Sequence, residues 1–208
     1  MTSLKIIRLY LKPIVFLICL LPIILVLTDL FEISGTLGAN PIENIQDRFG
    51  IWGLRFIVIL LMISPLKKIT GNIWLIQFRR MIGLFAFFYV LMHFLVWLLL
   101  EQSLLMPTII EDVTKRPFIT IGFIALLILL ILASTSTSKI RRSMGKKWDK
   151  LHQSVYLASI LGIWHFWWQV KKDITEPLIY AVIIFILLTY RLWNRSVSYT
   201  HLRAHETK

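Results

Sequence analysis

Cysteine is nearly absent. Cys19 is the only one in 208 residues, which excludes an intrachain disulfide and any cysteine-ligated cluster. Lying inside an apolar run, it is expected to serve packing or to face lipid. Acidic residues are also scarce, 11 Asp and Glu against 23 Lys and Arg, and charged residues of both signs make up only 16% of the chain. With 57% hydrophobic residues, such a composition falls outside the range of soluble domains and points to a membrane protein. A glycine-rich dinucleotide fingerprint is missing too, and the connections between apolar runs are too short to fold by themselves. No flavin or nicotinamide dehydrogenase domain is therefore expected. Any redox function would draw electrons from a membrane carrier or a separate protein.

Long apolar runs are what the chain has in quantity. They lie near 10–28, 50–66, 80–100, 117–134, 149–169 and 177–193, close to the roughly 17–25 residues that a spanning helix needs. The prediction is an all-α membrane protein, a six-transmembrane helix bundle in one domain over 1–195, with a short second span. The first run lacks a small-x-small exit and is expected to be a retained span rather than a cleaved signal. The segment 196–208, SVSYTHLRAHETK, breaks with the preceding texture and is expected to be a non-native tail. His201 and His205 have a chelating i, i+4 spacing but are discounted with that tail.

The net charge of +12 is not spread as a nucleic-acid binder would spread it. Lys5, Arg8 and Lys12 precede the first run. Lys67, Lys68, Arg79 and Arg80 lie between the second and third, and Lys139, Arg141, Arg142, Lys146, Lys147 and Lys150 between the fourth and fifth. The intervening connections carry Asp29, Glu32, Glu43 and Asp47, or Glu101, Glu111 and Asp112. By the positive-inside rule both termini are then cytoplasmic. The basic stretch Ser134 to Lys150 is expected to attract anionic membrane lipid, or a flavin or partner protein.

Histidine in a span is costly and is read first as functional. His93 lies about 12 Å from the outer end of the third span and His165 about 8 Å from the outer end of the fifth, at 1.5 Å per residue. The two share a depth and are the candidate axial ligands of one b-type haem. His152 lies about 20 Å away along its helix and would serve a second haem near the cytoplasm. Thirteen helical steps leave His152 and His165 about 140° apart in azimuth, so two stacked cofactors would need different azimuths or a local distortion, for which Gly162 is a possible site. Gly83, Gly122 and Gly162 are small residues that would allow close approach.

Arg55, placed a turn or so from the outer end of the second span, is a candidate partner for haem propionates, with snorkelling as its rival. Arg79 and Arg80 are candidates for a propionate, a quinone headgroup or an FMN phosphate, against a plain topological role. Trp97, Trp164, Trp167 and Trp168 are expected at the outer interface, and Trp148 and Trp193 at the inner one.

The segments LGANPIENIQ (37–46), FRRMIGLFAFFYVLMHF (78–94), TKRPFITIG (114–122), STSTSKIRRSMGKKWDKLHQSVY (134–156) and EPLIYA (176–181) together resemble the MsrQ family, formerly YedZ. That family belongs to the ferric-reductase-like transmembrane superfamily. The resemblance implies one or two b-type haems, FMN as a further cofactor, and electrons from the quinone pool or a cytosolic flavin reductase. It implies delivery to the periplasmic molybdopterin enzyme MsrP, which reduces methionine sulfoxide, and a place in a bacterial inner membrane. The family's histidines fall on His93, His152 and His165, in MHF, LHQ and WHF. Oxidase relatives carry another histidine on the third span where this chain has Arg79 and Arg80, which leaves the second ligand of an inner haem unassigned. The expected role is an electron-transfer subunit without sulfoxide reductase activity of its own. A stand-alone ferric reductase or oxidase and a non-redox transporter or scaffold are the alternatives.

Overall fold

The second helix starts where capping chemistry dictates, well before the sequence turns apolar. Asn40 accepts a hydrogen bond from the Glu43 backbone N–H at 3.4 Å and donates to the Glu43 carboxylate at 2.8 Å, with Pro41 in the first turn. That cap sets the start of a helix of 30 residues, about 45 Å long. The computed structural model describes residues 3–170 and 173–206, and side chains of 5–170 and 173–194. Its helices are α1 (Ile7–Leu30), α2 (Pro41–Thr70), α3 (Ile73–Glu101), α4 (Met106–Lys115), α5 (Pro117–Ser134), α6 (Ser138–Met144), α7 (Lys146–Leu151), α8 (Val155–Gln169) and α9 (Thr175–Glu206).

Among the described residues five helices, α1, α2, α3, α5 and α9, are long and apolar enough to cross a membrane. The expected fifth span is a composite. α7 runs into a 3-10 turn at His152–Ser154 and then into α8, whose 15 residues alone reach about 22 Å. The composite lies along α5, so the six-helix bundle is preserved. Two features depart from the expectation. The second span is long rather than short, and α4, α6 and α7 are helical where connections were expected. α9 continues to Glu206 without a break, so the start of the expected tail at Ser196 is not marked in the backbone. The side chains of His201 and His205 lie outside the described residues.

Two helix pairs make the most extensive contacts, α2 with α3 and α5 with α8. α2 and α3 approach closely at Gly53, where a methyl group would lie 2.6 Å from Val90 Cγ2 and 3.2 Å from its backbone nitrogen. Beside this contact Tyr89 is fully buried, its ring 5.2 Å from Phe56 and nearly parallel to it, with Phe49 and Phe85 around them. The Tyr89 hydroxyl donates to Cys19 O at 2.8 Å and accepts from the Ile23 N–H at 3.3 Å. Those are the groups that an unbroken helix would pair directly, and Pro22 stands between them. One hydroxyl thus mends the break in α1 and fastens that helix to α3. Cys19 is buried in this contact rather than facing lipid.

α9 is tied on by polar groups: Arg55 Nε donates to the Tyr180 hydroxyl at 2.9 Å, and Arg191 reaches Ser64 Oγ at 2.6 Å and the Tyr156 hydroxyl. One end of the bundle gathers Asp29 with Arg48, Gln102 with Asp112, and Arg116 with Asp112. The other gathers the lysines and arginines around α6 and α7. These are called the acidic and basic ends below.

Candidate functional site

The structure brings His93 and His165 together near the acidic end. Their ring centres are 6.0 Å apart and their planes lie at 84°. His93 projects from α3 and its Nδ1 lies 2.8 Å from the carbonyl oxygen of Gln46 in α2. His165 projects from α8 and its Nδ1 lies 2.8 Å from the carbonyl oxygen of Phe118 in α5. A carbonyl only accepts, so in each ring Nδ1 carries the proton and Nε2 keeps its lone pair. Two such nitrogens on one metal, with bonds of about 2 Å and about 1 Å from each ring centre to its nitrogen, put the ring centres about 6 Å apart. The separation found is the one a shared metal needs.

The same construction occurs twice. Each histidine meets a carbonyl 47 residues before it. A glycine stands four residues after each carbonyl, and it leaves the Nδ1 edge of the ring room to reach the helix backbone. A methyl group on Gly50 would fall 2.9 Å from His93 Nδ1, and one on Gly122 would fall 2.7 Å from His165 Nδ1. A shift of 72 positions, the interval from His93 to His165, superposes Gly50 on Gly122, Ala86 on Ala158 and Arg80 on His152. Ala86 and Ala158 are both fully buried. Gly122 was among the expected close-approach positions. Gly50 was not, although the matched spacing in the sequence would have marked it. A methyl group on Gly83 would meet only Leu60, and one on Gly162 nothing within 4 Å.

His152 is not brought to this pair. It stacks on Trp148 with ring centres 3.8 Å apart, and its Nε2 lies 3.1 Å from Thr135 Oγ1. Trp148 in turn donates its indole N–H to Thr135 O at 2.9 Å and carries the Arg141 guanidinium over its face. Arg79, Arg141 and Asp149 are the charged groups that act on His152, while Arg80 is exposed at the start of the regular part of α3. The helical distortion lies at His152–Ser154, not at Gly162. Three 3-10 steps reduce the azimuth between His152 and His165 from about 140° to about 80°.

Arg55 is also displaced from its expected depth. Because α2 begins at Pro41, Arg55 lies fourteen residues from that end, about 21 Å in, where it stacks on Trp52 and bonds Tyr180. Of the aromatic belt, Trp164, Trp167 and Trp168 are exposed as expected. Trp97, one turn beyond His93, is buried instead, and its indole N–H has no partner; the Asn44 Oδ1 at the same end is likewise unpartnered. Unpartnered buried polar atoms beside a histidine pair are what a site built around a further polar group presents. Among the described residues no three His, Cys, Asp or Glu converge. Two imidazoles suit a metal that brings its own equatorial donors, as a porphyrin does.

Comparison with known proteins defines the class. The sequence model described as ferric reductase like transmembrane component matches residues 49–163, a stretch that holds His93 and His152 and stops just short of His165. The chain belongs to this family of membrane components. Within it the chain belongs with the MsrQ subunits. It is 45% identical over 162 residues to the protein-methionine-sulfoxide reductase heme-binding subunit MsrQ of Xanthomonas oryzae pv. oryzae (strain MAFF 311018), covering 78% of this chain and 74% of the relative. The subunit of the same name from Xanthomonas campestris pv. campestris (strain 8004) is 46% identical over the same shares. That of Ralstonia nicotianae (strain ATCC BAA-1114 / GMI1000) is 44% identical, over 75% of this chain and 73% of its own length.

Proposed function

We propose that the chain is the haem b electron-transfer subunit of a methionine sulfoxide reductase system, with His93 and His165 as axial ligands. The meeting of these two histidines, each with Nδ1 spent on a backbone carbonyl, carries the proposal. Haem, when bound, supplies a one-electron relay between donor and acceptor. The chain does the rest. Gln46 O and Phe118 O hold the imidazoles in the tautomer that offers Nε2. The apolar spans keep water away, and Trp97 N–H is a buried donor free for a propionate oxygen.

Orientation follows from charge. The basic end faces the cytoplasm and the acidic end the periplasm of a bacterial inner membrane, with both ends of this chain inside. The basic end is then the intake. Arg79, Arg141, Trp148 and His152 surround it with positive charge and aromatic faces, suited to a quinone headgroup, an FMN phosphate from a flavin reductase, or a second haem on His152. Arg80 lies alongside, and Arg55, bonded to Tyr180 between the two levels, would be the candidate partner for a propionate of a bound haem.

Among the described residues the acidic end presents short connections and α4, a platform for a partner rather than a catalytic pocket. The partner is the periplasmic molybdopterin enzyme MsrP, and the chain has no sulfoxide reductase activity alone. Adding MsrP to quinol-reduced protein should reoxidise the haem, and methionine sulfoxide should sustain the turnover. Haem that stays reduced with both present would overturn the assignment.

A further inference from the structure

We propose that Gly50 and Gly122 are positioning residues, matched cradles that admit the Nδ1 edges of the His93 and His165 rings to the backbones of α2 and α5 and thereby set the crossed angle between the two ligand planes. The proposal rests on haem ligation by these histidines. A substituent on either glycine would meet the imidazole first: Nδ1, Cε1 and Cγ of His93 at 2.9, 3.2 and 3.6 Å, and the same atoms of His165 at 2.7, 2.9 and 3.2 Å. No other side chain, and no backbone atom of another helix, is as near. These two glycines therefore differ from Gly53, which is pressed by Val90 including its backbone, and from Gly162, which has open space.

Each ring pays for its position with a fixed geometry. To bond the carbonyl one turn before the glycine, the Nδ1 edge of the imidazole must occupy the space a Cβ would fill, so the ring is fixed by the helix it meets. The two host helices impose different planes, 84° apart. A methyl group would push the ring off its carbonyl, freeing both its rotation and its tautomer. On iron, crossed imidazole planes leave the two π-bonding d orbitals nearly equal in energy and give a highly anisotropic low-spin resonance. Parallel planes split those orbitals and give a rhombic one.

The test uses the full chain purified in detergent, without and with haem. In the haem-free protein, Gly50→Ala should lower the thermal unfolding midpoint. That loss should vanish in Gly50→Ala/His93→Ala measured against His93→Ala, and persist in Gly50→Ala/His165→Ala measured against His165→Ala. Gly122→Ala should behave the same way with His165. Gly53→Ala should cost as much in every background, and Gly162→Ala little in any. A glycine variant too unstable to purify serves equally: rescue by removing its own histidine supports the cradle, and failure of rescue overturns it. With haem, the wild type should show the highly anisotropic signal and either alanine variant a shift towards the rhombic form. A rhombic wild-type signal, or an equal loss with and without the facing histidine, sinks the proposal. Full haem retention in His93→Ala would instead sink the ligand assignment and leave the stability coupling standing.

Discussion

His93→Ala should empty the site at little cost to the fold. The bond from Nδ1 to Gln46 O is worth about 0.5–1.5 kcal/mol net. Its loss orphans no group, because the carbonyl still faces the N–H of Gly50 within α2. The edge-on contact with His165 adds about 0.5–1.5 kcal/mol. The sum, about 1–3 kcal/mol, is below the roughly 5–15 kcal/mol that keeps ordinary domains folded. Haem retention responds differently, since removing even an outer-shell partner of a metal ligand costs about 10- to 100-fold in affinity. Loss of the ligand itself should exceed that. His165→Ala should match His93→Ala, and the double variant should be no worse than either, because half a ligand pair is already an unmade site. Haem per protein by pyridine haemochrome, measured on monodisperse protein whose unfolding midpoint is followed in parallel, separates the two effects. A wild-type low-spin spectrum at full stoichiometry in either single variant would refute the pairing.

Three further outcomes follow from other parts of the molecule. Tyr89→Phe keeps the aromatic stack but removes the hydroxyl that joins Cys19 O to Ile23 N, and should cost about 1–2 kcal/mol; an unchanged unfolding midpoint would mean that α1 is held by its apolar face alone. Arg79→Gln/Arg80→Gln should slow quinol-dependent haem reduction while the absorption spectrum is retained, since an anionic or carbonyl-bearing donor loses its charged partners. Equal rates in stopped-flow measurements would leave these arginines a topological role only. A reporter fused in the Ser134 to Lys150 loop should report the cytoplasm, and an external signal there would overturn the orientation.

The bundle was legible because hydropathy and loop charge report on lipid, and lipid dominates this chain. Pro117–Ser134 coincides with its predicted span for that reason. α2 does not, because PIENIQDRF is too polar to register as a span and owes its helicity to the Asn40 cap and to the burial of Ile45 and Phe49. That His93 and His165 come close together was legible from depth alone. Their partners were not, because Gln46 and Phe118 contribute backbone carbonyls, which have no side-chain signature, and Gly50 contributes an absence. The azimuth of His152 was misjudged because the 3-10 turn leaves no mark in an otherwise regular apolar run.

The duplicated carbonyl, glycine and histidine unit has a consequence for biogenesis. Each half of the chain makes one hairpin with one imidazole, so with haem held as proposed above neither half would retain the cofactor before the other is in the membrane. α8 would supply the second of the two proposed ligands, so capture would wait until five crossings are in place and correctly paired. A chain stalled or misthreaded after α5 offers His93 without its counterpart and stays colourless. On that proposal, pigmentation would be a proofreading signal for insertion as well as a sign of redox competence.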